Sequence, residues 1–305
     1  ERLVPVLDRI AVAWEILFVD DGSSDATLAA ITARNAADRR IGAISFSRNF
    51  GKEIAIAAGL DHARGRAVVI IDADLQHPPE TIGALVERWR AGYVMVYAQR
   101  TSREDESAVK RGFARLFYRL FDSFTHMHLP EGAGDFRLID RKGVEVLRAL
   151  PERARFSKGL YAWIGFKSIG VPFVVEERRQ GTSKWSFRKL FRFAFDGITA
   201  FSTVPLRVWT YLGGLISLLS IAAAIYFAIK TLVFGTDVAG YPSLIVSITF
   251  LGGVQLMSLG IIGEYIGRIF AEVKRRPMYV VAERIGNAAE ASTELFGDDR
   301  RAARA

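Results

Sequence analysis

Asp72 and Asp74 stand one residue apart in the stretch IIDADLQHPPE, Ile70 to Glu80, directly behind the apolar run Val68–Ile71. Two carboxylates this close repel each other unless a cation or a hydrogen-bond donor lies between them. With the side-chain amide of Gln76 they make a set of hard oxygen donors at a strand end. Such donors suit Mg2+ or Mn2+, ions that keep some of their waters and bind phosphates as well. The pattern points to a divalent cation on Asp72, Asp74 and Gln76, and to a diphosphate on that cation. A bare Asp-x-Asp is also what a helix N-cap next to a turn aspartate looks like. Its place after an apolar strand and before a Pro-started helix argues for the site.

A second acidic tip, Asp20-Asp21-Gly22-Ser23, closes the apolar run Glu15–Asp20. It is fit to accept hydrogen bonds from a base or a ribose. It is no EF-hand loop, because Ile31 stands where the closing glutamate is needed. Neither G-x-G-x-x-G nor G-x-x-x-x-G-K-[ST] follows any strand, which argues against dinucleotide-dehydrogenase and P-loop readings. The chain has 305 residues and no cysteine, so disulfides, thiol catalysis and zinc fingers are excluded. His126 and His128 lack a third ligand and read as structural or surface residues.

The elements that hold these tips alternate. Strands are expected over Glu15–Asp20, Ile41–Phe46, Ala67–Asp72 and Tyr93–Ala98. Helices are expected over Asp25–Ala37, Lys52–Ala63 and Pro78–Ala91, and the chain opens on an amphipathic helix rather than a signal peptide. Short apolar strands separated by helices of this length predict βαβ units in a mostly parallel sheet. Ligands of such sheets bind beyond the carboxyl ends of the strands, where both acidic tips lie.

Later segments change character. In 108–124, Arg111, Arg115 and Arg119 recur every four residues, with Phe113, Leu116, Phe117, Leu120 and Phe121 on the other side. In 183–201, Lys184, Arg188 and Arg192 share one stripe and Phe187, Leu190, Phe191, Phe195 and Ile198 another. Basic on one side and Phe-rich on the other is the pattern of a helix lying in a membrane interface. The runs Val208–Phe234 and Ser243–Tyr265 are nearly free of charge and exceed the ~20 residues needed to cross a bilayer. Arg207 precedes the first run, and Arg268, Lys274, Arg275 and Arg276 follow the second. The positive-inside rule puts both flanks in the cytoplasm. The net charge of +8 and pI near 9.8 are thereby tied to a membrane and a phosphorylated substrate rather than to nucleic acid, since the basic residues alternate with Phe beside the spans.

At this point the motifs resemble a known family. FVDDGSSD, SRNFGKEIAIAAGLDHARG, IDADLQHPPE, GDFRLIDR, RRQGTSKWSF and GEYIGRI look like the polyprenyl-phosphate glycosyltransferases. These are family-2 enzymes of the GT-A, Rossmann-like α/β fold, similar to dolichol-phosphate mannose synthase and the bactoprenol glucosyltransferases. The resemblance implies inverting transfer of one sugar from a UDP-sugar, first of all glucose from UDP-glucose, to undecaprenyl phosphate. The product would serve cell-envelope glycan or lipid modification. It implies Mg2+ or Mn2+ on Asp72, Asp74 and Gln76, nucleoside contacts from Asp21 with Asp20 beside it, and Asp135 near the acceptor as a base. Arg178, Gly181, Ser183 and Lys184 match a loop that closes over the diphosphate. Lys110 and Arg111 are candidates to receive the lipid phosphate, and Arg137 to screen it.

The implied layout is a catalytic domain over 1–180, a loop and interfacial helix over 181–205, two transmembrane helices over 206–270 and a cytoplasmic tail over 271–305, expected to be loosely ordered after Val281. The place is the inner membrane, multi-pass. A homotetramer is implied as well, and Gly213, Gly214, Gly252 and Gly253 permit close helix approach. Family members begin with a strand ending in a Pro-x-Tyr-Asn-Glu-like segment that walls the nucleotide pocket. Glu1 stands just past that point, so either the sequence is truncated or that strand is missing, and weak nucleotide binding is expected. Two other classes fit parts of the pattern. A processive polysaccharide synthase would carry Gln-x-x-Arg-Trp, but Leu85 stands in the Gln place before Arg88-Trp89. A non-catalytic membrane scaffold would not need Asp21, Asp72, Asp74 and Asp135 together.

Overall fold

The computed structural model describes residues 2–10, 13–74, 76–100, 108–125, 127, 129–130, 132–150, 152–153, 155–174, 199, 201–234 and 240–286. The chain divides into two compact units, one of residues 1–194 and 276–305 and one of 195–275.

The first unit runs α1 (Leu3–Ile10), β1 (Ile16–Asp20), α2 (Thr27–Ala37), β2 (Ile41–Phe46), α3 (Lys52–His62), β3 (Ala67–Ile70), α4 (Thr81–Arg90) and β4 (Met95–Arg100). It continues with α5 (Ala108–Thr125), β5 (Ala133–Asp140), α6 (Arg141–Ala149), α7 (Ser157–Trp163) and β6 (Ser168–Phe173), and ends with β7 (Val281–Ile285). The four strands and three helices expected from β1 to β4 are all present, each within a few residues. The mostly parallel pairing is not. The described residues form two mixed sheets, ordered β1-β2-β7 and β3-β5-β4-β6. β1 and β2 pair in parallel, as do β4 and β6, while β5 runs against both β3 and β4 and β7 runs against β2. Of the three strands left out of the sequence reading, β5 and β7 supply every antiparallel pair among the described residues, and β6 adds a parallel one.

β7 also corrects the reading of the tail. Residues 281–285 form the edge of the first sheet rather than a loose end. Just before them, Tyr279 stacks on Phe46 at 5.1 Å and donates to Asp61 Oδ2 at 3.0 Å. A chain segment returning after the apolar helices thus completes the first unit.

The side-chain period of two sorts the second sheet into faces. Val96 and Ala98 of β4 and Phe136 and Leu138 of β5 join Ile82 and Leu85 of α4 in a buried core, with Leu3, Leu7 and Ile10 of α1 against it. Burial of such side chains contributes roughly 1.5–3 kcal/mol each. The intervening residues, Met95, Tyr97, Asp135 and Arg137, are sent to the opposite face, toward α3 and α7. Apolar packing on one face therefore fixes where the polar residues of β5 point.

The second unit contains α8 (Val204–Phe234) and α9 (Tyr241–Val273), of 31 and 33 residues. Their apolar windows, Leu206–Ala223 and Phe250–Val273, have mean hydropathies of 1.4 and 1.3. Both helices start slightly before the expected spans, and the second runs on to Val273. At ~1.5 Å per residue each exceeds the ~30 Å of a hydrocarbon core. Leu215, Leu218, Leu219, Ile225, Leu256 and Leu259 are each more than half exposed, a surface that water does not tolerate and lipid does.

Candidate active site

β1 delivers Asp20 and Asp21 to the sheet edge with different duties. Asp20 is buried, and its carboxylate accepts from Ser45 Oγ of β2 at 2.6 Å and from the Ser23 amide at 3.2 Å. Burial pushes its pKa up, but the hydrogen bonds from Ser23 and Ser45 outweigh that and leave it below the usual carboxylate range. Asp21 accepts from the Phe50 amide at 2.6 Å and the Gly51 amide at 2.9 Å. It thereby pins the loop that enters α3. Gly22, directly after them, has φ +72, and a Cβ there would lie 2.5 Å from the Arg48 carbonyl carbon, so only glycine fits. The two residues expected at the nucleoside are also the bolts of this corner.

The pinned loop aims the first residue of α3. Lys52 Nζ donates to Asp72 Oδ2 at 2.8 Å and pairs with Asp135 Oδ2 at 2.9 Å. One ammonium thus joins the first aspartate of the Asp-x-Asp, just past β3, to the acidic residue of β5. Its own burial opposes the charge, but Asp135 and Asp72 overcome this and raise its pKa, so Lys52 stays protonated. Burial likewise pushes Asp135 up, and Lys52, Lys158 and Arg137 together bring it below the ordinary range. Asp135 is ionised, with Oδ1 buried and unpartnered among the described residues. Lys52 lies within one of the quoted motifs but was assigned no role from sequence. A lysine at a helix N-terminus after a Gly gives no sign of which carboxylates it will meet.

Next to it, Glu53 accepts from both the amide (2.8 Å) and the hydroxyl of Ser157, tying α3 to the start of α7. Burial raises the Glu53 pKa, and the Ser157 hydrogen bonds oppose that. His77 follows the Asp-x-Asp loop and packs on Phe136 at 5.0 Å and Phe173 at 5.7 Å. Burial lowers its pKa and keeps the imidazole neutral. It anchors the acidic loop to the core through ring contacts.

Asp74 accepts from the Gln76 amide at 3.1 Å, a two-residue turn that sets Asp72, Asp74 and Gln76 around one bend. Among the described residues no three His, Cys, Asp or Glu side chains converge on a metal position. Two carboxylates and an amide oxygen still fit a hard divalent cation that takes its remaining ligands from a diphosphate and water. A closed, all-protein cage is not what this donor set builds.

Arg137 is almost fully buried beneath the Tyr161 ring, 3.7 Å from its centroid, and donates to the Gly134 carbonyl at 2.6 Å. It shares the β5 face of Asp135. Lys110 and Arg111 lie on α5, but their side chains are outside the described residues, and so are Arg178, Gly181, Ser183 and Lys184 with the whole segment 175–198. His126 and His128 also lie outside them. Arg88-Trp89 has no part in the site: Leu85 is in the core and Trp89 donates its ring N–H to Asp140 at 2.7 Å.

Comparison with known proteins adds an independent line. Residues 1–148 match the family described as glycosyl transferase family 2, and residues 204–269 match the GtrB C-terminal hairpin. An uncharacterized glycosyltransferase of Synechocystis is 52% identical over 92% of this chain and 89% of its own length. A prophage-derived bactoprenol glucosyl transferase of Shigella flexneri is 50% identical over 88% of this chain and 86% of its own. An uncharacterized glycosyltransferase of Bacillus subtilis is 43% identical over 94% and 88%. A mannosyltransferase from Pyrobaculum calidifontis, solved with GDP-Man and Mn2+, aligns at 16% identity and a TM-score of 0.38 over 80% of this chain and 77% of that one. That likeness is too loose to build on.

Proposed function

The chain belongs to glycosyltransferase family 2, and from that premise we propose that it moves one glucose from UDP-glucose to a polyprenyl phosphate at the cytoplasmic face of a membrane. The relatives named bactoprenol glucosyl transferase support the acceptor and the sugar, because the likeness runs through the catalytic unit and the hairpin alike. The structural observation that carries the reading is the Lys52 bridge. It holds Asp72, on the diphosphate side, and Asp135, on the acceptor side, within reach of one ammonium.

Each residue then has a task. Asp72, Asp74 and Gln76 are the ligands for Mg2+ or Mn2+, which when bound offsets the charge of the departing diphosphate. Asp20 and Asp21 shape the nucleoside end of the pocket and hold the α3 corner in place. Asp135 stands where the acceptor oxygen approaches. That oxygen belongs to a phosphate monoester whose second pKa is ~6, so at neutral pH it is already an anion and needs placing more than deprotonating. Its attack on the anomeric carbon breaks the bond to UDP from the opposite side, which inverts the configuration. Lys52 and Arg137 screen the approach of two anions. Arg178, Ser183 and Lys184 close over the diphosphate, and Lys110 and Arg111 attend the lipid headgroup. α8 and α9 span the bilayer with both flanks in the cytoplasm, following the basic residues beyond their ends. The open surroundings of Gly213, Gly214, Gly252 and Gly253 suit packing into a homotetramer.

The test is the product itself. Incubation with UDP-glucose and undecaprenyl phosphate should give a β-linked glucosyl phosphate by NMR, with EDTA abolishing transfer and Mg2+ or Mn2+ restoring it. An α-linked product, or full transfer in EDTA, contradicts the mechanism.

A further inference from the structure

Arg137 is only 4% exposed, and its contacts among the described residues are neutral: the Gly134 carbonyl, the Met95 thioether at 3.2 Å and the Tyr161 ring face. Among the described residues its Nε has no hydrogen-bond partner, and neither has the hydroxyl of Tyr161, itself 6% exposed. A buried guanidinium without a bonded anion is costly, and so is a buried hydroxyl without a partner. Asp135 and Glu53 act on Arg137 only through space.

Both orphaned groups line one cavity of about 150 Å3, and Lys158 lines it too. At ~30 Å3 per water this is room for a tetrahedral anion and the first atoms of what it is esterified to. Leu129, Pro130 and Phe166 line the same cavity, with Tyr118 of α5. Two cations and a hydroxyl donor together with apolar side chains in one cavity match a phosphate monoester on an apolar chain. The planar fork of arginine suits phosphate in particular. A nucleoside diphosphate finds no apolar need and has its own oxygen-ligand loop at Asp72 and Asp74.

We propose that this cavity is the subsite for the acceptor's phosphate, held by Arg137, Lys158 and Tyr161, with the first units of the prenyl chain against the apolar side chains. The proposal rests on the acceptor class put forward above. Asp135 follows two residues before Arg137 on the same face of β5, so a phosphate held by Arg137 presents its oxygen beside Asp135. One new bond forms, from that oxygen to the anomeric carbon. One breaks, from the anomeric carbon to the diphosphate, whose electrons leave with UDP. A monoanionic acceptor gives its proton to Asp135 or to water.

The probes are geranyl phosphate, a short prenyl phosphate, and inorganic phosphate, each added to the detergent-solubilised full chain without donor. The readouts are the thermal midpoint and the separate KM values for undecaprenyl phosphate and UDP-glucose. Tyr161→Phe keeps the ring under Arg137 and removes only the hydroxyl; Lys158→Gln removes one charge without touching the core. Geranyl phosphate should raise the wild-type midpoint and raise it less in both variants. Each variant should raise the lipid KM about tenfold, the size of one lost charge-assisted hydrogen bond, and leave the UDP-glucose KM within about twofold. Equal shifts in wild type and variants, with an unchanged lipid KM, would mean a merely hydrated cavity and overturn the proposal. Inorganic phosphate protecting as well as geranyl phosphate would overturn the prenyl assignment. Protection that depends on Lys158 and Tyr161, in a chain that glucosylates no lipid phosphate, would uphold the subsite and refute the reaction.

Discussion

Lys52 is the residue on which the site turns. Its side chain is half exposed and its ammonium touches both Asp72 and Asp135, so its value lies in placement rather than in stability. An exposed pair contributes below about 1 kcal/mol, and Lys52→Met should leave the unfolding free energy within that range. Transfer should fall about tenfold or more, because two carboxylates lose their shared counter-charge. Lys52→Arg should recover part of the loss, as judged by kcat at saturating donor and lipid. Stability loss without rate loss would contradict this role. Asp135 gives a pH test. Its pKa is depressed, chiefly by Lys52 acting against burial, so it is ionised across the working range and able to take a proton from a monoanionic acceptor. The ratio of wild-type to Asp135→Asn rates should rise as pH falls below about 6, where the acceptor keeps its proton. A flat ratio would leave Asp135 only a positioning duty. That Asp72, Asp74 and Gln76 share one bend just past a strand was legible in the sequence, because an apolar run ending in acidic residues marks a strand end, while Asp135 was reached only through the family resemblance. Lys52, Lys158 and Tyr161 were not legible, since only the fold says which groups face each other.

Elements were legible where apolar runs and helices alternate, from β1 to β4. β5 escaped notice because Asp135 and Arg137 interrupt its buried residues with charges that serve the site, which blurs the period-two signal. β7 escaped because VAERI is short, polar on its exposed positions and separated from its partner by the whole hairpin. Its pairing with β2 and the docking of Tyr279 and Ile285 make a direct prediction. Ending the chain after Arg276 should cost about 3 kcal/mol or more, for two large side chains and an edge ladder lost. It should also expose β2 as a sticky edge. A lower thermal midpoint and aggregation of the truncated protein are the expected readouts. An unchanged midpoint would mean that the tail is dispensable after all.

At the scale of the molecule, half of the logic is charge and half is oil. The first unit builds an acidic crevice with resident cations, while the second exposes Leu and Ile along helices long enough to cross a bilayer. Alkaline carbonate, which strips proteins held by charge, should therefore leave the chain in the membrane pellet, and its release would contradict spanning helices. Composition alone had shown this division, because apolar excess crowds into the last third. It could not show that the segment after the hairpin returns to complete the catalytic sheet.

Membranes containing the protein, given undecaprenyl phosphate and a panel of nucleotide sugars, test the central claim most directly through the mass of the lipid product. The expected result is a lipid heavier by a single hexose, formed from UDP-glucose with one UDP released per lipid. A ladder of longer sugars, or no glycolipid from any donor, would contradict it.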